Sequence, residues 1–281
     1  MDGQPSRTAM MAAVLRGRHR LDHEQPWVLD DPFALSLVGP DWEAIRAGLE
    51  AIFPQDVVDG VGASTLVRAR YAEDRVYRSD PEQYVILGAG LDSFAWRRPD
   101  LLRSMHIFEV DHPLTQAWKR ERAAVLALPA HENHTFVPVD FEVTTLEEGL
   151  ASAGFDPRRR TVVSWSGVTL YLSPDAIKVT LASIANMGIG TELVMDYAYP
   201  DDLLDDVGQR FFTRFVSLAD ESGEPVLGRF SPKEIADLVE QCGLKVADDP
   251  ATDELRARYF AERRDGLRPP DIGNVLTAIV E

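Results

Sequence analysis

The chain has 281 residues, of which 45% are hydrophobic and 27% are charged, and its formal net charge is −17. A chain of this length can bury a large apolar core without disulfides or structural metals, so we expect an ordinary soluble globular protein. The acidic balance disfavours DNA or RNA as a substrate, because phosphate contacts require clustered Lys and Arg, and a small molecule becomes the default.

The N-terminal part of the chain, up to about residue 80, has helical patterns and no convincing strand. The segment 6–21 is predicted to be a helix that begins at Ser6, whose side chain can cap it. DDPFALSLVG and DWEAIRAGLEAIF are predicted to be further helices, and TLVRARYAEDRVY has the apolar spacing of an amphipathic helix. We expect these helices to form a cap.

Short apolar runs alternate with helical stretches in the rest of the chain. Strands are predicted at 84–87, 106–110, 134–139, 161–165, 192–195, 244–247 and 274–280. Helices are expected at about 92–103, 113–128, 144–153, 174–187 and 231–241. This alternation predicts an α/β fold with a doubly wound sheet covered on both faces. We expect one domain over 1–281, with the cap at 1–80, the core at 81–281 and an insertion at about 197–230.

The loop after the first predicted strand, in YVILGAGLDS, contains two glycines. Ligands of open α/β sheets bind beyond the carboxyl ends of the strands, and Gly88 and Gly90 would let backbone N–H groups approach a ligand closely. A tight turn can also need glycine for structural reasons alone. The nicotinamide dinucleotide fingerprint has a third glycine where this chain has Ser93, which disfavours a dehydrogenase.

Glu109 and Asp111 lie at the end of the second predicted strand, about twenty residues after the glycines. A carboxylate at this place can accept hydrogen bonds from a ribose diol. Asp111 also precedes Pro113, so a helix-capping role is the alternative. The glycine turn and the acidic group at this spacing together favour an adenosyl ligand.

Two later loops add candidate ligand contacts. In PVDFE, Asp140 could reach an adenine amino group with Phe141 against the ring, or it could cap a helix. In WSGVTLYL, Tyr171 would project near the reactive end of the cofactor, unless it is a core tyrosine.

Arginines of the helix before the first strand are candidates for binding a carboxylate through two parallel hydrogen bonds. Arg68 and Arg75 are seven residues apart and share a face of this helix, whereas Arg70 lies elsewhere on it. Ion pairs with Glu73 and Asp74, or plain solvation, are the alternatives for these arginines.

In combination these segments resemble the leucine carboxyl methyltransferase superfamily, specifically its bacterial small-molecule branch, to which polyketide carboxyl O-methyltransferases are similar. The matching pieces, in the family's order, are SRTAMMAA, LDDPFA, VRARYAED, VILGAGLDSFAWR, FEVDHP, VPVDFE, SGVTLYLSPDAI and GEPVLGRFSPKEI. The resemblance covers most of the chain. It implies a seven-stranded Rossmann-like methyltransferase sheet with an antiparallel last strand, a helical N-terminal lid and S-adenosyl-L-methionine as the cofactor.

The resemblance also implies roles for single residues, with Gly88 and Gly90 at the methionine part of the cofactor and Asp111 at the ribose. Arg70 and Tyr171 are the expected catalytic residues, at a carboxylate and at the substrate respectively. Ser166 stands where the family commonly has an acidic residue near the methionine amino group. The full set expected around the cofactor is Arg70, Gly88, Ala89, Gly90, Asp92, Ser93, Glu109, Asp111, His112, Asp140, Phe141 and Ser166.

The chemistry of methyl transfer favours a carboxylate acceptor. Displacement at a sulfonium benefits from a dry, oriented site, and a carboxylate with a reference pKa of about 4 needs no base. We therefore expect carboxyl O-methylation of a small secondary metabolite. A phenol or alcohol acceptor would profit from a base, for which His112 is the nearest candidate. An NAD-dependent oxidoreductase and a non-catalytic cofactor-binding protein are the remaining alternatives.

The acceptor itself is expected to be defined by the lid and by the insertion at 196–225. In that insertion Phe211, Phe212 and Phe215 could line an aromatic pocket, or they could belong to a helix core. Because one sequence does not reveal how copies of a chain associate, the oligomeric state is left open.

Three further features concern metals and the cell compartment. His131 and His134 of HENH lack an evident third ligand, so no metal site is expected. Cys242 is the single cysteine, which excludes an intrachain disulfide and fits a reducing cytoplasm. The sequence MDGQPSRTAM does not resemble a secretory signal, and no apolar run reaches the roughly 18 residues of a membrane span. We expect a cytoplasmic protein without a membrane-embedded part.

Overall fold

The computed structural model describes residues 6–140, 144–221 and 223–281. The strands in these ranges are β1 (Gln83–Leu87), β2 (His106–Asp111), β3 (His134–Pro138), β4 (Thr161–Trp165), β5 (Glu192–Ala198), β6 (Leu244–Asp248) and β7 (Gly273–Val280). The helices are α1 (Arg7–Asp22), α2 (Ala34–Val38), α3 (Trp42–Ile52), α4 (Gln55–Ser79), α5 (Phe94–Arg97), α6 (Pro113–Val125), α7 (Leu146–Ser152), α8 (Pro174–Ala185), α9 (Asp206–Glu221), α10 (Pro232–Gln241) and α11 (Thr252–Phe260).

The described strands form a single sheet in the order β3-β2-β1-β4-β5-β7-β6. The first five strands pair in parallel, whereas β7 is antiparallel to both of its neighbours, β5 and β6. The chain moves outward from β1 to β3 and then returns to β4 on the other side of β1, so the strand order reverses between β1 and β4. The predicted doubly wound α/β sheet with an antiparallel last strand is therefore confirmed.

Both faces of the sheet are covered. All five residues of β1 and of β4 are buried. Within β1, Val85 and Leu87 belong to one apolar cluster, while Tyr84 and Ile86 belong to the other. Since successive side chains of a strand point to opposite faces, these apolar runs supply two cores at once.

Two helical segments differ from the sequence prediction. The segment expected as one helix at 92–103 forms the short α5 and a 3-10 turn at Leu101–Arg103, because Pro99 between them cannot donate a backbone hydrogen bond. The sequence pattern also misses α11, whose buried residues are only Thr252, Leu255 and Phe260. Within the described residues, no helix has both the length and the apolar character that a membrane span needs.

The N-terminal helices pack on the sheet through α4, which contacts β4, β5 and β7. Arg75 pairs with Glu192 at 2.6 Å, and Arg68 pairs with Asp196 at 3.0 Å. Both acidic partners lie on β5, so the face that Arg68 and Arg75 share is the face that meets the sheet. At the start of α1, Ser6 Oγ accepts a hydrogen bond from Ala9 N at 3.2 Å, as the predicted cap requires.

A buried ion network, formed by Arg16, Asp31, Glu73 and Arg97, joins these helices to the loop after β1. Arg16 Nε lies 3.0 Å from Asp31 Oδ2, and its Nη2 donates to the Leu91 carbonyl at 2.7 Å. The Asp31 side chain has no exposed surface. Burial alone would raise the pKa of Asp31, but Arg16 and Arg97 together hold it below its usual value.

Arg97 forms the other half of this network. Its Nη2 donates to Glu73 Oε1 at 2.6 Å, and its Nε donates to Ser93 Oγ at 2.9 Å. Burial raises the pKa of Glu73, although the Arg97 guanidinium opposes that shift. The network thus connects α1 and α4 with residues 91–97 through charges that are shielded from water.

Replacing one member of the buried ion network should destabilise the fold strongly. In Arg16→Met, Asp31 would lose its closest cation, and breaking a buried pair costs about 3–5 kcal/mol. We expect a loss of that order in the free energy of urea unfolding. The control is Arg158→Met, because the Arg158 side chain is 87% exposed. An equal effect of the two variants would contradict the role given to the network.

Candidate functional site

A cavity of about 1680 Å³ lies at the carboxyl ends of the parallel strands, where the strand order reverses. This is the place where ligands bind in open α/β sheets. The cavity is lined by the loops after β1 to β4, by the end of β5 and by residues of α1, α4 and α9. The predicted site residues that line it are Gly88, Ala89, Gly90, Asp92, Asp111, His112, Asp140, Ser166 and Tyr171.

The loop after β1 is packed tightly on both sides. Gly88 and Gly90 have positive φ angles of 65° and 47°, which L side chains rarely adopt. A Cβ atom at Gly88 would lie 2.2 Å from a methyl carbon of Val168, and one at Gly90 would lie 3.1 Å from Cβ of Ala9. The packing of the loop against Val168 and Ala9 therefore requires glycine at both positions, which is the structural alternative that the sequence analysis gave for them.

Asp111 links the loop after β1 to the loop after β2. One carboxylate oxygen accepts from the backbone N–H of Gly90, and the other accepts from that of His112 at 2.7 Å. Burial raises the pKa of Asp111, and these two hydrogen bonds oppose the shift. Each carboxylate oxygen retains a lone pair, so Asp111 can accept hydrogen bonds from a diol in the cavity.

Other predicted residues have local roles beside the cavity. Asp92 Oδ1 accepts from the backbone N–H of Phe94 at 2.7 Å. His112 Nδ1 accepts from the backbone N–H of Leu114 at 3.3 Å and caps α6, so the capping role considered for Asp111 belongs to its neighbour. Phe141, the expected partner of the adenine ring, lies outside the described residues.

Arg70 does not reach the cavity, which corrects the sequence prediction. Its Nε pairs with Asp74 at 2.8 Å, and its Nη1 donates to the Val28 carbonyl at 3.1 Å. Two residues along a helix correspond to about 200° of rotation, so Arg70 points away when Arg68 faces the sheet. Arg68 lines the cavity instead.

Glu109 and Ser93 are also absent from the cavity wall. Glu109 is completely buried and pairs with Lys119 and with His134, whose Nε2 lies 3.0 Å away. It lies two residues before the end of β2, underneath α6, so it cannot meet a ribose. Ser93 is buried and accepts from Arg97. His134 is thereby engaged by a carboxylate, and no metal-type cluster of His, Cys, Asp or Glu occurs in the described ranges.

The sequence analysis did not identify the ion pair of Arg68 and Asp196 as part of the site. Arg68 Nη1 lies 3.0 Å from Asp196 Oδ2, while Asp196 Oδ1 accepts from the backbone N–H of Gly167 at 2.8 Å. A Cβ at Gly167 would lie 2.8 Å from Arg68 Nη2, so the guanidinium rests against this glycine. The shared face of Arg68 and Arg75 was the available signal, because it orients both arginines toward β5.

Tyr171 lies next to polar side chains that lead to a carboxylate. Burial raises the pKa of Tyr171, and the neighbouring Thr8 side chain opposes this shift. Thr8 Oγ1 lies 2.7 Å from Ser6 Oγ, which donates to Glu224 Oε1 at 3.0 Å. This polar cluster of Ser6, Thr8, Tyr171 and Glu224 joins the start of α1 to the insertion after β5.

Three polar atoms of the cavity wall lack a hydrogen-bond partner among the described residues. They are Ser166 Oγ, Glu224 Oε2 and Asn274 Oδ1, and all three are almost completely shielded from solvent. Leaving a buried polar group unsatisfied costs about 1–3 kcal/mol, and native structures contain few such groups. A ligand in the cavity can supply the missing partners.

Comparison with known sequences identifies relatives of this chain. The model of the family "Leucine carboxyl methyltransferase" matches residues 9–185. The chain is 34% identical over 208 residues to YktD of Bacillus subtilis strain 168, which is provisionally named an S-adenosyl-L-methionine-dependent methyltransferase; the alignment covers 72% of this chain and 67% of YktD. A Mycobacterium marinum protein with the same provisional name is 31% identical over 262 residues, covering 88% of this chain and 84% of that protein.

Some related proteins are longer than the aligned region, and a Frankia alni relative is matched over 56% of its length. Solved structures share the fold. A protein of Thermobifida fusca YX, provisionally described as a methyltransferase, superposes with a TM-score of 0.64 at 16% identity, covering 99% of this chain and 96% of that one. A DUF574 family protein of Streptomyces avermitilis also gives a TM-score of 0.64, at 13% identity, with 100% and 99% coverage.

Substitution of Gly88 should cost more stability than substitution of a glycine that also has a positive φ angle but has free space around it. Gly190 has a φ of 84°, and a Cβ added there would have no atom within 4 Å, so Gly190→Ala should lose only about 1–2 kcal/mol through backbone strain. In Gly88→Ala the clash with Val168 should add about 1–3 kcal/mol. Urea unfolding of the two variants measures the difference, and equal losses would contradict the tight packing of the loop.

Proposed function

The chain belongs to the leucine carboxyl methyltransferase family, and we propose that it transfers a methyl group to a carboxylate oxygen of a small organic molecule. It is a methyltransferase, and S-adenosyl-L-methionine is its methyl donor. The observation that carries the proposal is the cavity in which the glycine loop and Asp111 meet Arg68 and Tyr171. Secondary metabolism and a cytoplasmic location are part of the same proposal.

The residues present fit the donor. When bound, S-adenosyl-L-methionine supplies a methyl group on a positively charged sulfur, and S-adenosylhomocysteine remains after the transfer. Residues 88–90 line the cavity and would lie at the donor's amino acid part. Asp111 would hold the ribose hydroxyls, and Asp140, which lines the same cavity, would lie toward the adenine.

The charged ends of the donor's amino acid have matching partners. The Arg68 guanidinium has five N–H groups, so it can bind a carboxylate while Nη1 stays on Asp196. Asp196 and the unpartnered Ser166 Oγ would accept from the ammonium group. Asp196 would then supply the negative charge that the family commonly has at the position of Ser166.

The acceptor would be oriented by Tyr171. Because burial raises the pKa of Tyr171, its hydroxyl remains protonated at neutral pH and can donate to an acceptor oxygen. A carboxylate acceptor is already ionised, so the site needs no base for it. The buried side chains of Phe211 and Phe215 line the cavity and would exclude water from the reacting groups.

Thermal unfolding with added ligands tests the donor site. At 100 times its dissociation constant, S-adenosylhomocysteine should stabilise the protein by about 2.7 kcal/mol, whereas NADH should have no effect. In Asp111→Asn we expect about tenfold weaker binding, because one acceptor oxygen becomes a donor. The control Asp175→Asn removes a side chain carboxylate that is 93% exposed and should bind normally. Stabilisation by NADH alone would contradict the methyltransferase proposal.

A matched pair of arginine variants tests which of the two reaches the ligand. Arg68→Gln should weaken S-adenosylhomocysteine binding about 10–100-fold, because charge-assisted hydrogen bonds to a carboxylate are lost. Arg70→Gln should leave the affinity unchanged. The affinity for 5′-methylthioadenosine, which lacks the amino acid part, should be the same in both variants. Titration calorimetry measures the affinity of wild type and of both variants for each ligand. A stronger effect of the Arg70 substitution would restore the sequence-based prediction.

A further inference from the structure

The cavity is larger than the methyl donor requires. Its volume of about 1680 Å³ exceeds the roughly 300–1,000 Å³ of ordinary ligand pockets, so a second molecule fits beside the donor. Phe211 and Phe215 of α9 stack with ring centroids 4.7 Å apart and form part of the wall. Met11 and Val61 contribute apolar surface from α1 and α4. This part of the cavity suits a flat, apolar or aromatic body.

One carboxylate stands at the polar end of this apolar region. The backbone N–H of Glu224 donates to the Ala219 carbonyl at 2.9 Å, which holds Glu224 against the C-terminal end of α9, nine residues after Phe215. Its Oε1 accepts from Ser6, while its Oε2 has no partner among the described residues and almost no solvent exposure. A buried carboxylate oxygen without a hydrogen bond costs free energy, and a donor that reaches it removes this cost.

The other polar groups of the site have different partners in the proposed function. There the Arg68 guanidinium serves Asp196 and the carboxylate of the methyl donor, and the Tyr171 hydroxyl donates to the acceptor carboxylate. In the proposed function, the donor's ribose and ammonium groups are already matched by Asp111, Asp196 and Ser166. The acceptor molecule therefore remains as the source of the hydrogen bond to Glu224 Oε2.

We propose that Glu224 determines acceptor specificity by accepting a hydrogen bond from a hydroxyl or ammonium group on an aromatic acceptor. A bare carboxylate next to Glu224 would be repelled and would leave Oε2 unsatisfied. The methylated carboxylate thus lies toward Tyr171, and a separate donor group of the same molecule lies at Glu224. This inference rests on the proposed function, since it assumes that the acceptor shares the cavity with the methyl donor.

The test compares three probes that differ only in their donor group: benzoate, 3-hydroxybenzoate and 3-(aminomethyl)benzoate. Binding to the protein saturated with S-adenosylhomocysteine is measured by titration calorimetry. We expect the two donor-bearing probes to bind wild type at least about tenfold more tightly than benzoate does. Equal affinities, or no binding of any probe, would overturn the proposal.

Two substitutions of Glu224 test whether this side chain causes the preference for the donor-bearing probes. Glu224→Met keeps the side-chain length without an acceptor and should abolish the preference for both donor-bearing probes. Glu224→Gln keeps an acceptor oxygen without the charge, so the hydroxyl probe should retain its advantage while the ammonium probe loses it. The control Glu221→Gln makes the same change at an exposed position three residues away and should behave as wild type. A preference that survives in Glu224→Met would overturn the proposal.

S-adenosylhomocysteine binding shows whether a negative result contradicts only the role of Glu224 or the proposed function as a whole. Wild type and all variants should bind it with equal affinity, which also shows that each variant is folded. If wild type does not bind it, the proposed function fails; if binding is normal and the probes are not distinguished, only the role of Glu224 fails.

Discussion

The buried ion network of Arg16, Asp31, Glu73 and Arg97 holds the cavity together, because it ties the N-terminal helices to the loop that follows β1. Arg16 of α1 donates to the Leu91 carbonyl in that loop, and Arg97, which follows the loop, donates to Glu73 of α4. Buried charges are costly to desolvate, and the cost is offset only when the partners meet in good geometry. We infer that the network favours one placement of α1 and α4 over the sheet.

That placement explains why the glycine loop is so closely covered. Ala9 of α1 lies against Gly90, and Val168 from the loop after β4 lies against Gly88. The first turn of α1 also carries Thr8, which reaches Tyr171. One helix therefore contacts both the proposed donor region and the proposed acceptor region, so the same packing that stabilises the cap closes the cavity.

The hydrogen bonding of the cavity wall is incomplete. Ser166 Oγ, Glu224 Oε2 and Asn274 Oδ1 are buried there without partners among the described residues. Incomplete hydrogen bonding is expected at functional sites, where a ligand can complete it. Ser166 and Glu224 lie on different segments, after β4 and after α9, which is consistent with two ligands sharing one cavity.

By itself the sequence determined the seven strands, the glycine turn and the position of Asp111 after the second strand, because these depend on local spacing along the chain. The antiparallel direction of the last strand followed from the family resemblance. Only the tertiary structure decided that Arg68 rather than Arg70 faces the cavity, since this choice depends on which face of α4 packs on β5. It also decided that Glu109 lies under α6, where it pairs with Lys119 and His134 and does not reach the cavity. The approach of Ser6 to Glu224, 218 positions apart, has no local signal at all, because it arises only when the chain is folded.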